Sequence, residues 1–247
     1  MLPPIAGLFC YTTKFDARQR QLLAQQNPGG VMAQVNFDAF VEEGSNIDRV
    51  FFDNENGGRY ATQHLIQLGH QRIAFLGMHS NHPAAGHEWS GERLEGWHSA
   101  LQSQGLTAQG LAFLPDGLVD GKKPLSYVHL KAAAHRLLEQ GRATAVVCAN
   151  DLVALQLIEV CRESRLPLTQ WPALVSFDDT LPAGRNVLTS FRLPWDELGR
   201  VAARLLWERV HGQITGDAVT RLIPMRMIPR LSCGANWTLA ESLQPVL

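Results

Sequence analysis

The chain has almost no excess of charge. Its 247 residues carry 22 Lys and Arg against 23 Asp and Glu, a formal net charge of −1. A protein that grips nucleic acid by itself shows a basic excess or patch, so this balance argues against direct nucleic-acid binding by the chain as it stands. Long apolar runs are also missing, and none approaches the roughly 18 residues a membrane helix needs. The short apolar stretch Ile5–Tyr11 has no Lys or Arg ahead of it, and Phe9 directly before Cys10 suits a small-residue export cleavage site badly. Cysteine is scarce. Cys10, Cys148, Cys161 and Cys233 lie far apart and form no CxxC pair, which reads as reduced, buried thiols in a cytoplasmic protein.

Catalytic and metal signatures are absent as well. There is no GxSxG elbow, no HExxH and no GxxxxGK[ST]. Gly57-Gly58 belongs to no GxGxxG fingerprint, and tight entry into a helix is the simpler reading. Ser176 and Ser190 have no His and Asp in an order that would activate them. His79, His82 and His87 share one loop, but only Glu88 is nearby to complete a tetrahedral metal site. The expectation is a chain with no catalytic residue, no metal and no cofactor, and therefore no enzyme.

What the sequence does contain is ordinary globular composition, 45% hydrophobic and 18% charged, in a chain long enough for a sizeable core and for one or two domains. From residue 57 the pattern alternates helix and strand. The spacing predicts helices over Gly57–Leu68, Glu92–Gln104, Leu130–Gln140 and Trp195–His211, the last with Leu198, Val201, Ala202 and Leu205 inward. Gly69 and Gly105 suit the left-handed position that ends a helix. Strands are predicted at Arg72–Leu76, Leu111–Leu114, Thr144–Cys148, Ala173–Phe177 and Val187–Arg192. A further strand, Leu222–Ile228, is broken by Pro224 and so is an edge or a crossover. Short strands apolar on both faces, alternating with helices, imply α/β architecture with parallel sheet covered on both sides. The first 52 residues offer only Ile5–Tyr11, Val31–Val35 and Asp48–Phe52 as strands and Ala17–Gln26 as a helix. That is too few elements for a complete doubly wound domain.

In open parallel sheets, ligands bind beyond the carboxyl ends of the strands. That rule selects Arg93 after the loop Met78–Gly91, Asn150 and Asp151 after Thr144–Cys148, Asp178 and Asp179 after Ala173–Phe177, and Arg192. A guanidinium, a carboxamide and a carboxylate meeting there form a donor and acceptor set suited to a polyhydroxyl ligand. Each also has a plain structural reading: Arg93 in a surface salt bridge, Asn150 as a helix cap, Asp178 as a turn former.

Several blocks in order resemble a known family. They are Phe52-Asp53-Asn54 with Gly57-Gly58, Leu68-Gly69-His70, Arg72-Ile73-Ala74-Phe75-Leu76-Gly77 and Arg93-Leu94-Glu95-Gly96-Trp97. Thr144 through Asp151, Val175-Ser176-Phe177-Asp178-Asp179, Leu188-Thr189-Ser190 with Arg192 and Pro194, and Leu198-Gly199 follow, and Pro229–Cys233 resembles a closing strand. Over roughly residues 5–234 the run is similar to the lactose-repressor/galactose-repressor (LacI/GalR) family of transcriptional regulators. The resemblance implies a type I periplasmic-binding-protein-like fold of two doubly wound subdomains. One would comprise 1–53 plus 193–225 and be incomplete; the other would comprise 54–192 plus 226–247. Crossovers are expected near Asp53–Gly57, Ser190–Pro194 and Pro224–Pro229.

The resemblance further implies a small effector, sugar-like in the leading reading though sometimes a nucleobase in this family, held between the subdomains. Arg93, Asn150 and Asp178 match effector contacts, and Trp89 is placed either to stack on a sugar face or to pack on its own subdomain. It also implies a homodimer that modulates operator DNA. Nothing here resembles the helix-turn-helix that would read the operator, so the likeness implies a regulator shortened at its N-terminus. The alternative is a periplasmic solute-binding protein serving a transporter.

Overall fold

A computed structural model of the chain describes residues 7–10, 33–37, 47–77, 88–114, 127–185 and 187–234. The expected helix Ala17–Gln26 and His79, His82 and His87 lie outside the described residues. The chain divides into two units, one formed by Met1–Asp53 with Pro194–Pro224 and one by Asn54–Leu193 with Met225–Leu247. It therefore passes from one unit to the other three times. No described helix is long and apolar enough to cross a membrane.

The first unit has a four-stranded parallel sheet in the order β1 (Gly7–Cys10), β2 (Ala33–Phe37), β3 (Asp48–Phe52) and β9 (Thr220–Ile223). Helix α6 (Trp195–Val210) packs on β1, β2 and β3 through buried Leu198, Ala202 and Leu205. Val201, expected to face inward, is only half-buried. Phe52 meets the Trp195 ring edge-on with centroids 4.8 Å apart. Asp48, 4% exposed, is gripped by Arg209 through two bonds of 2.7 and 2.8 Å and accepts a third from the Val219 amide at 2.7 Å. This ion pair fastens the last turn of α6 to the start of β3.

The second unit has a six-stranded sheet. In chain order its elements are α1 (Asn54–Gln67), β4 (Ile73–Leu76), α2 (Glu88–Ser103), β5 (Ala112–Phe113), α3 (Tyr127–Arg136), β6 (Ala145–Cys148), α4 (Asp151–Glu163), β7 (Ala173–Asp178), α5 (Leu181–Arg185), β8 (Thr189–Arg192) and β10 (Arg226–Ile228). The sheet order is β10-β8-β7-β6-β4-β5, and all neighbours are parallel except β10 with β8. Every residue of β4 and β6 is buried, as strands covered on both faces require. Trp97 of α2 adds a hydrogen bond from its indole to the Ile73 carbonyl at 3.2 Å.

Several boundaries differ from the sequence expectation. Helix α1 starts at Asn54, so Gly57 and Gly58 are not its entry but lie inside it. The reason is packing: a Cβ on Gly58 would stand 2.9 Å from Arg93 Cα and closer still to its carbonyl oxygen. On the facing helix, a Cβ on Gly96 would stand 2.7 Å from the Arg59 amide nitrogen. The two glycines let α1 and α2 touch backbone to backbone. Helix α2 starts at Glu88, so Trp89 is helical rather than part of a loop. Helix α3 leaves through a π-turn, Leu137–Gly141, with Arg142 at φ 45°.

The predicted strand Leu222–Ile228 is two strands. Pro224 lacks the N–H a ladder needs, and the chain changes unit there, so β9 borders one sheet and β10 the other. Pro229–Cys233 is not a strand: Leu231–Gly234 is a 3-10 turn. Side chains hold it instead of a ladder, since the Ser232 hydroxyl donates to the Leu174 carbonyl and accepts from the Thr189 amide, both at 2.7 Å.

Candidate functional site

The sheet of the second unit reverses its order at β4: β5 lies on one side of it and β6 on the other. In such a sheet the crevice outside the carboxyl ends of the adjacent strands β4 and β6 is the preferred ligand position. Arg93 occupies it. It projects from α2, is 3% exposed, and donates from Nη1 to the Ala149 carbonyl just beyond β6 at 2.6 Å. Its Nε donates to Asn54 Oδ1 at 3.0 Å, and Asn54 Nδ2 donates to Glu92 at 2.9 Å. The guanidinium carbon lies 4.2 Å from the centre of the Phe177 ring and 4.8 Å from that of Trp89. Phe177 is itself stacked on Phe191 at 5.0 Å. A guanidinium desolvated between aromatic faces gains about 2 kcal/mol from such contacts. Arg93 is thus a buried cation in a fixed orientation.

Asn150 directly follows the carbonyl that Arg93 holds. It is the N-cap of α4, with its side-chain oxygen accepting from the Val153 amide at 3.0 Å. The plain reading of this residue is realised, yet capping uses only the oxygen and leaves the amide nitrogen as a donor. Asp178 directly follows Phe177, the ring beneath Arg93, and is the last residue of β7. It sits at φ 104°, and Asp179 follows at φ 50°. Two consecutive non-glycine residues in the left-handed half of backbone space cost free energy that surrounding contacts must offset.

Those contacts are the part the sequence did not disclose. Asp151, 1% exposed, accepts at one oxygen from the Ser176 and Ser190 hydroxyls at 2.5 and 2.7 Å. At the other it accepts from the amide and hydroxyl of Thr180 at 2.7 and 3.0 Å. The two serines dismissed as nucleophiles are therefore ties between strand ends. The Ser190 hydroxyl also accepts from the Asp179 amide at 2.9 Å. The Asp179 carboxylate, 2% exposed, pairs with Arg192 at 2.6 Å and Arg230 at 2.5 Å. Burial alone would push its carboxyl up, but the hydrogen bonds and charges of Arg230 and Arg192 outweigh that and hold it below the ordinary value of 3.8.

Trp89 is half-buried, packs against the core and lies against Arg93. The structure thus brings Arg93, Asn150, Asp178 and Trp89 to one end of one sheet, each next to or in contact with another's neighbour. Among the described residues, no group of three or more His, Cys, Asp and Glu could hold a metal ion.

A family model for the periplasmic binding protein-like domain matches residues 62–233. The chain is similar to the transcriptional regulator CelR of Thermobifida fusca, 33% identical over 172 residues, which are 68% of this chain and 47% of that protein. It is similar to the transcriptional regulator GalR of Escherichia coli K12, 34% identical over 159 residues, 63% of this chain and 43% of the relative. Among solved structures it resembles a CelR–cellobiose complex at 28% identity and a TM-score of 0.69, covering 92% of this chain and 65% of the other. The chain spans about half the length of the curated relatives it matches.

Proposed function

The chain belongs to the periplasmic binding protein-like domain family in the form carried by LacI/GalR regulators, and on that premise we propose that it senses a small polyhydroxyl effector for a transcriptional regulator. The observation that carries this reading is Arg93, buried and pre-oriented at the point where the sheet order reverses, with Asn150 and Asp178 on the adjoining strand ends. Arg93 supplies fixed donors, Asn150 an amide donor and Asp178 an acceptor for hydroxyl pairs, while the outer part of Trp89 offers an apolar edge to a sugar ring. The named relatives are regulators, and one was solved with cellobiose, so a saccharide is the ligand class to try first. In the whole protein, effector binding shifts the population of two conformations and with it operator affinity, in a homodimer, with a coupling typically of about 1–3 kcal/mol.

The test is a thermal melt of the chain against glucose, galactose, ribose, arabinose and cellobiose. A ligand at 100 times its Kd adds about 2.7 kcal/mol. One saccharide should raise the melting temperature of the wild type and leave Arg93→Ala unmoved. Equal shifts in both proteins would refute the assignment.

A further inference from the structure

We propose that Asn54 and Asp179 are positioning residues that tie the effector contacts to the three segments by which the chain enters and leaves the second unit. The inference rests on the reading of Arg93, Asn150 and Asp178 as effector contacts. Its basis is where the partners come from. Asn54 is the first residue of the unit after the crossing that follows Asp53, and it holds Arg93 Nε at 3.0 Å. Arg192 is the last residue of β8, just before the crossing that follows Leu193. Arg230 comes shortly after the crossing that follows Pro224, beyond β10. Both arginines close on the one carboxylate of Asp179, whose backbone neighbour is Asp178. From each crossing, a residue in or near the segment is therefore paired either with Arg93 itself or with Asp179, the chain neighbour of Asp178.

The strained turn explains why this matters. Asp178 and Asp179 hold positive φ, a conformation aspartate tolerates better than most residues but that still costs free energy which surrounding contacts offset. The fixing contacts are the Asp151 and Ser190 bonds within the sheet and the Arg192–Asp179–Arg230 clasp. The clasp is unequal. Arg230 is largely covered and also donates to the Leu188 carbonyl at 2.7 Å, whereas the Arg192 side chain is 60% exposed and its pair is screened by water. Arg230 is thus the stronger jaw. A change in the path of the crossing segments must pull on these bonds, and so on Asp178 and Arg93. Conversely, an effector that fixes Asp178 and Arg93 restrains the crossings, as linkage requires.

The experiment measures saccharide Kd by titration calorimetry and melting temperature in parallel, on the whole chain with the five saccharides named above. The variants are Asp179→Asn, Asn54→Ala, Arg230→Met, Arg230→Lys, Arg192→Met, Asp178→Asn and, as a structural control, Asp48→Asn. If releasing the turn leaves it competent only a tenth of the time, the apparent Kd rises about tenfold. Asp179→Asn, Asn54→Ala and Arg230→Met should each show a rise of about that size, Arg192→Met a smaller one, and Arg230→Lys partial recovery. Asp48→Asn, which breaks an equally buried Asp–Arg pair in the other unit, should lower the melting temperature and keep Kd. That split separates positioning from general destabilisation.

If Asp179→Asn and Asn54→Ala bind like the wild type while Asp178→Asn does not, the positioning proposal falls and the effector site stands. If Asp178→Asn also binds like the wild type, or none of the saccharides binds the wild type, the effector reading itself falls and takes the proposal with it.

Discussion

Replacing Gly58 by Ala tests the packing that holds Arg93. In an exposed helix interior this substitution stabilises by up to about 1 kcal/mol, because alanine loses less backbone entropy on folding. At Gly58 the added methyl would sit 2.8 Å from the Arg93 carbonyl carbon and 2.9 Å from its Cα. Ordinary carbon–carbon contact is about 3.5–4.0 Å, and the opposing atoms are main chain, which cannot swing aside as a long side chain can. Helices α1 and α2 must separate by a good fraction of an ångström. Overpacking of this kind costs typically about 1–3 kcal/mol, and a rigid backbone opponent favours the upper end.

Set against the helix-propensity gain, the expected net loss is about 2 kcal/mol, or roughly 4–8 °C in melting temperature for a unit of this size. The comparison is Gly91→Ala on α2, where an added Cβ meets nothing within 4 Å and stability should rise by about 0.5–1 kcal/mol. The assay is scanning calorimetry of the three proteins side by side. A Gly58→Ala protein melting at or above the wild type would refute the close-approach account. Because the displaced peptide is that of Arg93, saccharide affinity should drop in Gly58→Ala and not in Gly91→Ala.

Three further outcomes follow from buried groups. Asp48→Asn leaves Arg209, 12% exposed at its side chain, without its charge partner, and should cost about 3 kcal/mol in urea unfolding, the low end for a broken buried pair because the Gly216 and Asp217 carbonyls still accept from it. Asp179 titrates below its ordinary 3.8 when folded, so the unfolded chain binds more protons in acid. Its contribution is complete above the unfolded value and is lost as pH falls from about 3.8 toward the lower folded value. Melting temperature against pH should fall more steeply there for the wild type than for Asp179→Asn, and parallel curves would refute the clasp. Burial pushes the Cys161 thiol up to about 12 and the Cys148 thiol higher still, with the Asp151 charge adding to the latter. At pH 8 both should resist a thiol reagent in the native chain and react on unfolding, and rapid native labelling of either would contradict their placement.

The fold was readable because parallel strands buried on both faces leave a strong mark. The runs around Ile73–Leu76, Ala145–Cys148 and Ala173–Phe177 are continuous apolar stretches with helical spacing between them. What lies just beyond each run follows from the chain alone, which is why Arg93, Asn150 and Asp178 stand out as candidates in the sequence. Gly57 and Gly58 do not reveal their role in the sequence, because a glycine pair near a helix start is the same letters whether it opens the helix or admits a neighbour. Only what faces them, the Met225 and Phe177 side chains at Gly57 and the Arg93 backbone at Gly58, decides between the two. Pro224 marked a break in a strand, but a missing N–H says nothing about which sheet each half joins.

The residues that present chemistry and the residues that hold it in place differ in how visible they are. A strand end is a local property, written in the few residues before it. The pairing of Asn54 with Arg93, or of Asp179 with Arg230, joins positions 39 and 51 residues apart, and no spacing rule connects them. Asp151 shows the distinction within one dipeptide. Its neighbour Asn150 offers an amide from a helix cap, as its type and position suggest. Asp151, equally suited to capping, instead turns inward to gather two serines and a threonine from three other segments. Nothing in its local sequence separates the two roles. The separation arises from which side chain faces the sheet interior, where a carboxylate survives only if every lone pair finds a donor. The turn bearing Asp178 and the carboxylates of Asp151 and Asp179 could therefore be located from sequence, while the pairings that make the strain tolerable could be found only in the folded chain.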